Sequence, residues 1–89
     1  MQRAEAVIVN KLGLHARPSA KITQTATRFQ SEVWMAKGTR RINAKSIMGV
    51  MMLAAAKGTT LVIEANGPDE EQAVAALVEL IAAGFGEEI

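Results

Sequence analysis

The chain has a single histidine among its 89 residues, and it stands in Gly13-Leu14-His15-Ala16-Arg17-Pro18. Neutral imidazole is a nucleophile, and its ordinary pKa of about 6.5 keeps much of it neutral near pH 7. Pro18 suits the first turn of a helix, where a missing N–H costs little, so His15 falls at a predicted helix start. Such a terminus carries unpaired N–H groups and partial positive charge, which together attract an anion. Arg17 adds a guanidinium two residues on, suited to phosphoryl or carboxylate oxygens. The combination fits a phosphoryl group accepted on the imidazole, and equally a turn or capping histidine beside a solvated arginine. No Ser–His–Asp or Cys–His set competes, and nothing in the sequence nominates an acid to orient the ring. One histidine and no cysteine argue against a transition-metal site and exclude thiolate chemistry and disulfides. No metal and no cofactor is expected.

A second informative stretch is Asn43-Ala44-Lys45-Ser46-Ile47-Met48-Gly49-Val50-Met51-Met52. Ser46 precedes an apolar run and reads as the N-cap of a short helix. Met48, Met51 and Met52 lie within five residues. Methionine suits adaptable partner surfaces, although at least one of the three is expected to pack under the helix instead.

The elements that position these residues follow from periodicity. Residues 4–9 are rich in β-branched side chains and predict a strand. A loop over 10–14 leads into a helix that begins after His15 and runs to about Phe29, with Ile22, Ala26 and Phe29 on one face. Residues 32–37 and 40–43 predict a hairpin turning at Gly38. The helix after Ser46 is expected to end at Lys57-Gly58, with glycine in the left-handed cap conformation. Thr59–Ala65 is the clearest strand, broken by Asn66-Gly67-Pro68. Asp69 with Gln72 predicts an N-cap. The last helix then runs from about Glu70 to Ala83, burying Val74, Leu77, Val78 and Ile81. The order β-α-β-β-α-β-α predicts one α+β domain over residues 1–89, with helices on one face of a mostly antiparallel sheet.

Composition supports a packed core, since 49% of the residues are hydrophobic. The three aromatics, Phe29, Trp34 and Phe85, are too few for a base-stacking platform. Lys37, Arg40, Arg41 and Lys45 would be the footprint of nucleic-acid binding, which the unexceptional total charge argues against. The net charge of +1 hides an asymmetry. Ten basic residues against Glu5 and Glu32 leave residues 1–57 at +8, and seven acidic residues with no basic one leave residues 58–89 at −7. Folding is expected to mix the two halves in space. No secretory signal is visible, and the apolar stretches are too short or interrupted for membrane insertion, so a cytoplasmic protein is expected.

Gly13-Leu14-His15-Ala16-Arg17-Pro18, Lys45-Ser46-Ile47-Met48-Gly49-Val50 and Lys57-Gly58 together resemble the HPr family of histidine-containing phosphocarriers. That family serves the bacterial phosphoenolpyruvate-dependent sugar phosphotransferase system. The resemblance implies an open-faced β-sandwich, a four-stranded antiparallel sheet covered on one face by three helices. It implies that enzyme I phosphorylates His15 at Nδ1, that Arg17 contacts the phosphoryl group, and that enzyme IIA receives it. The carrier would then be a substrate of partner phosphotransferases and not itself an enzyme, working as a monomer. Ser46 matches a regulatory serine that HPr kinase/phosphorylase modifies in many bacteria. Ile47, Met48 and Met51, with Lys21 and Gln24, match the partner-docking surface. The acidic ending Gly84–Glu88 and the run Gly67–Glu71 also resemble a nitrogen-branch paralogue with a mainly regulatory role.

Overall fold

The computed structural model describes residues 1–89. Strand β1 (Gln2–Val7) is followed by helix α1 (Ala16–Ala26), the hairpin β2 (Glu32–Lys37) and β3 (Arg40–Asn43), helix α2 (Ile47–Met52), strand β4 (Thr60–Asn66) and helix α3 (Glu70–Ala82). A 3₁₀ turn at Gly84–Gly86 closes the order. The strands form one antiparallel sheet in the order β1-β4-β2-β3.

Alternation along the strands divides the sheet into a buried and an open face. Leu61, Ile63 and Ala65 of β4 point inward with Val33 and Met35 of β2 and Ala6 of β1. Ile22 and Ala26 of α1, Val50 of α2, and Ala73, Val74, Leu77 and Ile81 of α3 close over them, with Ile8 and Phe85 completing the core. Phe29 and Val78, expected on buried faces, are half-buried against that core. On the open face the Arg41 guanidinium lies 4.1 Å from the Trp34 ring centroid and donates to Glu64 Oε1 at 3.0 Å. No helix is long and apolar enough to cross a membrane.

Three local expectations are corrected. β1 occupies residues 2–7 and not 4–9, because its pairing with β4 runs from Gln2 opposite Ala65 to Val7 opposite Thr60. The partner strand sets the bounds, and polar Gln2 and Arg3 are extended by it. Asp69 begins α3 without capping it. Its carboxylate turns instead to the α1–β2 loop, accepting from the Gln30 N–H at 2.9 Å, the Ser31 N–H at 2.9 Å and the Ser31 hydroxyl. The Ser31 hydroxyl first, and then the Gln30 N–H, hold its pKa below the usual carboxylate value.

The third correction concerns α2, which ends at Met52, well before Lys57-Gly58. Cations do the work expected of glycine at this terminus. Arg40 Nη1 donates to the Met52 carbonyl at 2.9 Å, and Lys37 Nζ reaches the Leu53 carbonyl at 3.2 Å. Both satisfy end carbonyls that the helix leaves unpaired. The chain then turns through Ala54 at φ +48°, a left-handed conformation that disfavours any residue with a Cβ. Ala54 is exposed, so replacing it removes strain without removing packing. Ala54→Gly is therefore expected to stabilise the fold by about 0.5–1 kcal/mol, a rise of roughly 4 °C in melting temperature. Urea and thermal unfolding check this, and a lower melting temperature would show that glycine's added freedom in the unfolded chain dominates.

Candidate functional site

The site is built where the β1–α1 loop meets the segment after α2. Asn10 is fully buried, and its Nδ2 donates to the Gly13 carbonyl at 2.8 Å, folding the loop back on itself. The Leu14 N–H donates to the Ala55 carbonyl at 2.9 Å. Gly13 lies against that seam at φ +67°, where a Cβ would stand 2.5 Å from the Ala55 oxygen. Only glycine satisfies both the conformation and the approach.

His15 occupies the N-cap position of α1 in an extended conformation, and its side chain makes no capping bond. The ring therefore faces outward with 38% of its side chain exposed. Pro18 takes the third helical position, and the Ser19 N–H closes on the His15 carbonyl at 3.1 Å. The Ala16 and Arg17 N–H groups have no partner within the chain, leaving the helix start with two free donors. Arg17 is exposed and makes no ion pair. His15 and Arg17 line an open cleft of about 440 Å³ together with Lys11, Leu12, Gly86, Glu87 and Glu88.

The acid that the sequence did not nominate is supplied by the last residues of the chain. Glu87 Oε1 lies 2.9 Å from His15 Nε2, and Asn10 Nδ2 donates to the same oxygen at 3.2 Å. The His15 contact, followed by that of Asn10, holds the Glu87 carboxyl below its ordinary pKa against the opposing effect of partial burial. The path to this contact is set by Gly84, Phe85 and Gly86, which take φ values of +65°, +59° and +75°. Phe85 adopts this disfavoured conformation with its ring in the core, where burial is worth about 1.5–3 kcal/mol. The tail is secured further by Lys21 Nζ, which donates to the Phe85 carbonyl, and by the Lys11 N–H, which donates to the Glu88 carbonyl at 2.8 Å. The only signal for Glu87 in the sequence was the pair of glycines flanking an apolar residue, followed by acids.

Of the remaining residues singled out from sequence, Ser46 caps α2 as expected, its Oγ accepting from the Gly49 N–H at 3.1 Å. Ile47, Met48 and Met51 are exposed, as is Met52, while Val50 carries the buried side of the helix. All three clustered methionines thus face outward, and none packs beneath the helix. α2 packs beside α1, which places this apolar surface near the helix that begins at His15. Gln24 is exposed on α1, whereas Lys21 is engaged with the tail. The basic run 37–45 is likewise engaged: Lys37 and Arg40 with the end of α2, Arg41 with Trp34 and Glu64, and Lys45 with the Phe29 carbonyl at 2.8 Å.

An antiparallel sheet backed by three helices defines an open-faced sandwich, with a non-capping histidine at a loop-to-helix junction on an open cleft. The family model described as "PTS HPr component phosphorylation site" matches residues 2–83, and the chain belongs to this family of phosphotransferase-system phosphocarriers. It is 61% identical over 80 residues to the phosphocarrier protein HPr of Neisseria meningitidis, covering 90% of each chain. It is 56% identical over 87 residues to that of Cupriavidus necator, covering 98% of each. Among solved structures, HPr-C-His from Thermoanaerobacter tengcongensis matches with a TM-score of 0.95 at 48% identity over 100% of both chains. Bacillus subtilis Crh, described as a swapped dimer, matches with a TM-score of 0.71 at 42% identity, over 100% of this chain and 98% of that one.

The seam at Gly13 gives the site its first test. Gly13→Ala is expected to cost about 2 kcal/mol of stability, because the backbone strain and the clash with Ala55 arise together. The His15 ring resonances should move with it. A variant of wild-type stability with unmoved resonances would show that the loop relaxes freely and does not set the ring.

Proposed function

We propose that His15 is the phosphoryl-accepting residue, taking the group at Nδ1 from phospho-enzyme I and donating it to the A domain or subunit of a sugar-specific enzyme II. The observation that carries this reading is the ring itself, which is freed from capping and exposed beside two open N–H groups and an unpaired Arg17. Those donors offset the charge of a phosphoryl group without enclosing it, so the group stays transferable to a second partner. Transfer then depends on in-line positioning and on electrostatics shared with the docked partner, while the carrier alone turns nothing over. The carrier is read as a monomer acting in the cytoplasm, although solved relatives include dimers. Ile47, Met48 and Met51, with Gln24 and the more restrained Lys21, supply the docking surface. The relatives named as phosphocarrier protein HPr favour the sugar branch over the nitrogen-branch paralogue.

Incubation with phosphoenolpyruvate and enzyme I is expected to add one acid-labile phosphoryl group, with none added to His15→Ala. Arg17→Ala should remain folded and accept phosphate about a hundredfold more slowly, as when one charge-stabilising donor is removed. Unchanged kinetics would show that the helix N–H groups suffice. Failure of the wild-type protein with both the sugar-branch and the nitrogen-branch enzyme I would sink the reading, and acceptance from the nitrogen-branch enzyme alone would select the paralogue.

Ser46 is the proposed regulatory site for HPr kinase/phosphorylase. A phosphate there adds close to two negative charges beside Ile47 and Met48 and opposes an acidic partner electrostatically, leaving the fold intact. Ser46→Asp should retain the wild-type circular dichroism spectrum and accept phosphate about tenfold more slowly. A gross change in the spectrum, or the wild-type rate, would count against this mode of regulation.

A further inference from the structure

The contact between Glu87 and His15 has chemical consequences beyond holding the ring in place. An ionised carboxylate only accepts hydrogen bonds, so the 2.9 Å contact requires the imidazole proton on Nε2. In the neutral ring Nδ1 then carries the lone pair, and Nδ1 makes no hydrogen bond within the chain. The carboxylate is fixed from behind, since Asn10 Nδ2 donates to the same oxygen and the tail is tied by Lys11 and Lys21. Its lowered pKa keeps it ionised over the neutral range.

We propose that Glu87 is a positioning residue for phosphoryl transfer: it keeps the His15 proton on Nε2, so that Nδ1 is the nucleophile, and it stabilises the protonated ring while the phosphoryl group is carried. The inference rests on the phosphocarrier reading of His15. In the step itself the Nδ1 lone pair forms the bond to phosphorus as the bond between phosphorus and the donor's leaving atom breaks, and that electron pair departs with the donor. No proton moves. The product ring bears phosphorus on Nδ1 and hydrogen on Nε2 and is therefore cationic, with the Glu87 carboxylate against its N–H. Onward transfer from this form releases a neutral imidazole. A ring that had lost the Nε2 proton would have to leave as an imidazolate anion, a far poorer leaving group.

The charged groups facing the ring are Arg17 from α1, Lys11 from the β1–α1 loop, and Glu87 and Glu88 from the tail, with Lys21 behind the tail. Glu88 lies 3.9 Å from Lys11 Nζ, so these two largely offset each other. Arg17 and Lys21 oppose a cationic ring, which leaves Glu87 as the anion that touches it.

The test uses the full chain as wild type, Glu87→Gln and Glu87→Ala, with folding confirmed by amide spectra. Glu87→Gln preserves the side-chain shape while removing the charge. The ring ¹⁵N shifts of the unphosphorylated proteins report the tautomer without any partner. Wild type should show a neutral ring protonated on Nε2, and Glu87→Ala should move toward the mixture of a free imidazole. After phosphorylation from phosphoenolpyruvate and enzyme I, the alkaline limb of the pH profile for phosphoryl donation should move down by about one pH unit in both variants. The sign follows from the charge, because without the carboxylate the ring loses its Nε2 proton at lower pH. Wild-type ring shifts in Glu87→Ala, or an unmoved alkaline limb in both folded variants, would overturn the proposal. A wild-type protein that takes no phosphate would fail the phosphocarrier reading instead, while the ring shifts still decide the tautomer.

Discussion

The hydrogen bond from the Leu14 N–H to the Ala55 carbonyl joins the two halves of the chain at the site. On one side is the loop leaving β1 and on the other the segment that links α2 to β4, so each strand of the β1–β4 pair feeds one side of the seam. The β1–β4 register therefore determines where the seam forms, and the seam determines where α1 begins. A shift of one residue would send the inward side chains of β1 to the open face and carry His15 away from the tail. The site consequently inherits its precision from a sheet whose own residues take no part in it.

The two oppositely charged halves are interleaved in the fold. Glu64 from β4 pairs with Arg41 from β3, Glu88 approaches Lys11, and Glu87 meets His15. The basic residues most crowded in sequence, Lys37, Arg40 and Lys45, donate to backbone carbonyls of neighbouring segments. What remains unengaged near the histidine is Arg17, so a small surplus of positive charge is concentrated where an anion would be received.

Legibility from sequence followed the range of the interaction. His15, Arg17 and Pro18 declare a helix start within six residues, and Ser46 declares its cap within four, because both signals are local. The hairpin at Gly38 and strand β4 were equally plain from alternation. The end of α2 was not, since Arg40 and Lys37 reach it across 12 and 16 residues and leave no mark beside Met52. Asp69 misled for the same reason: its sequence neighbours suggested a cap, while its partners Gln30 and Ser31 lie 39 and 38 residues away. Glu87 is the extreme case, 72 residues from the ring it touches. No periodicity or spacing rule spans that distance, and the packing of Phe85, with the ties from Lys11 and Lys21, brings the tail back.

Phe85 also resolves a conflict inherent in a small carrier. For the proposed transfer, Nδ1 must be open to two partners in turn, yet an exposed imidazole on a loop would sample many orientations and protonation patterns. Fixing it from the solvent side would obstruct docking, so the restraint has to come from the protein side of the ring. The left-handed turn around Phe85 achieves this by spending part of the ring's burial energy on backbone strain. Glu87, itself held by Asn10, then engages Nε2, while Nδ1 makes no hydrogen bond and Arg17 and the apolar side chains of α2 stay exposed. Order is imposed on one edge of the imidazole and withheld from the other, which is the division that the proposed transfer requires.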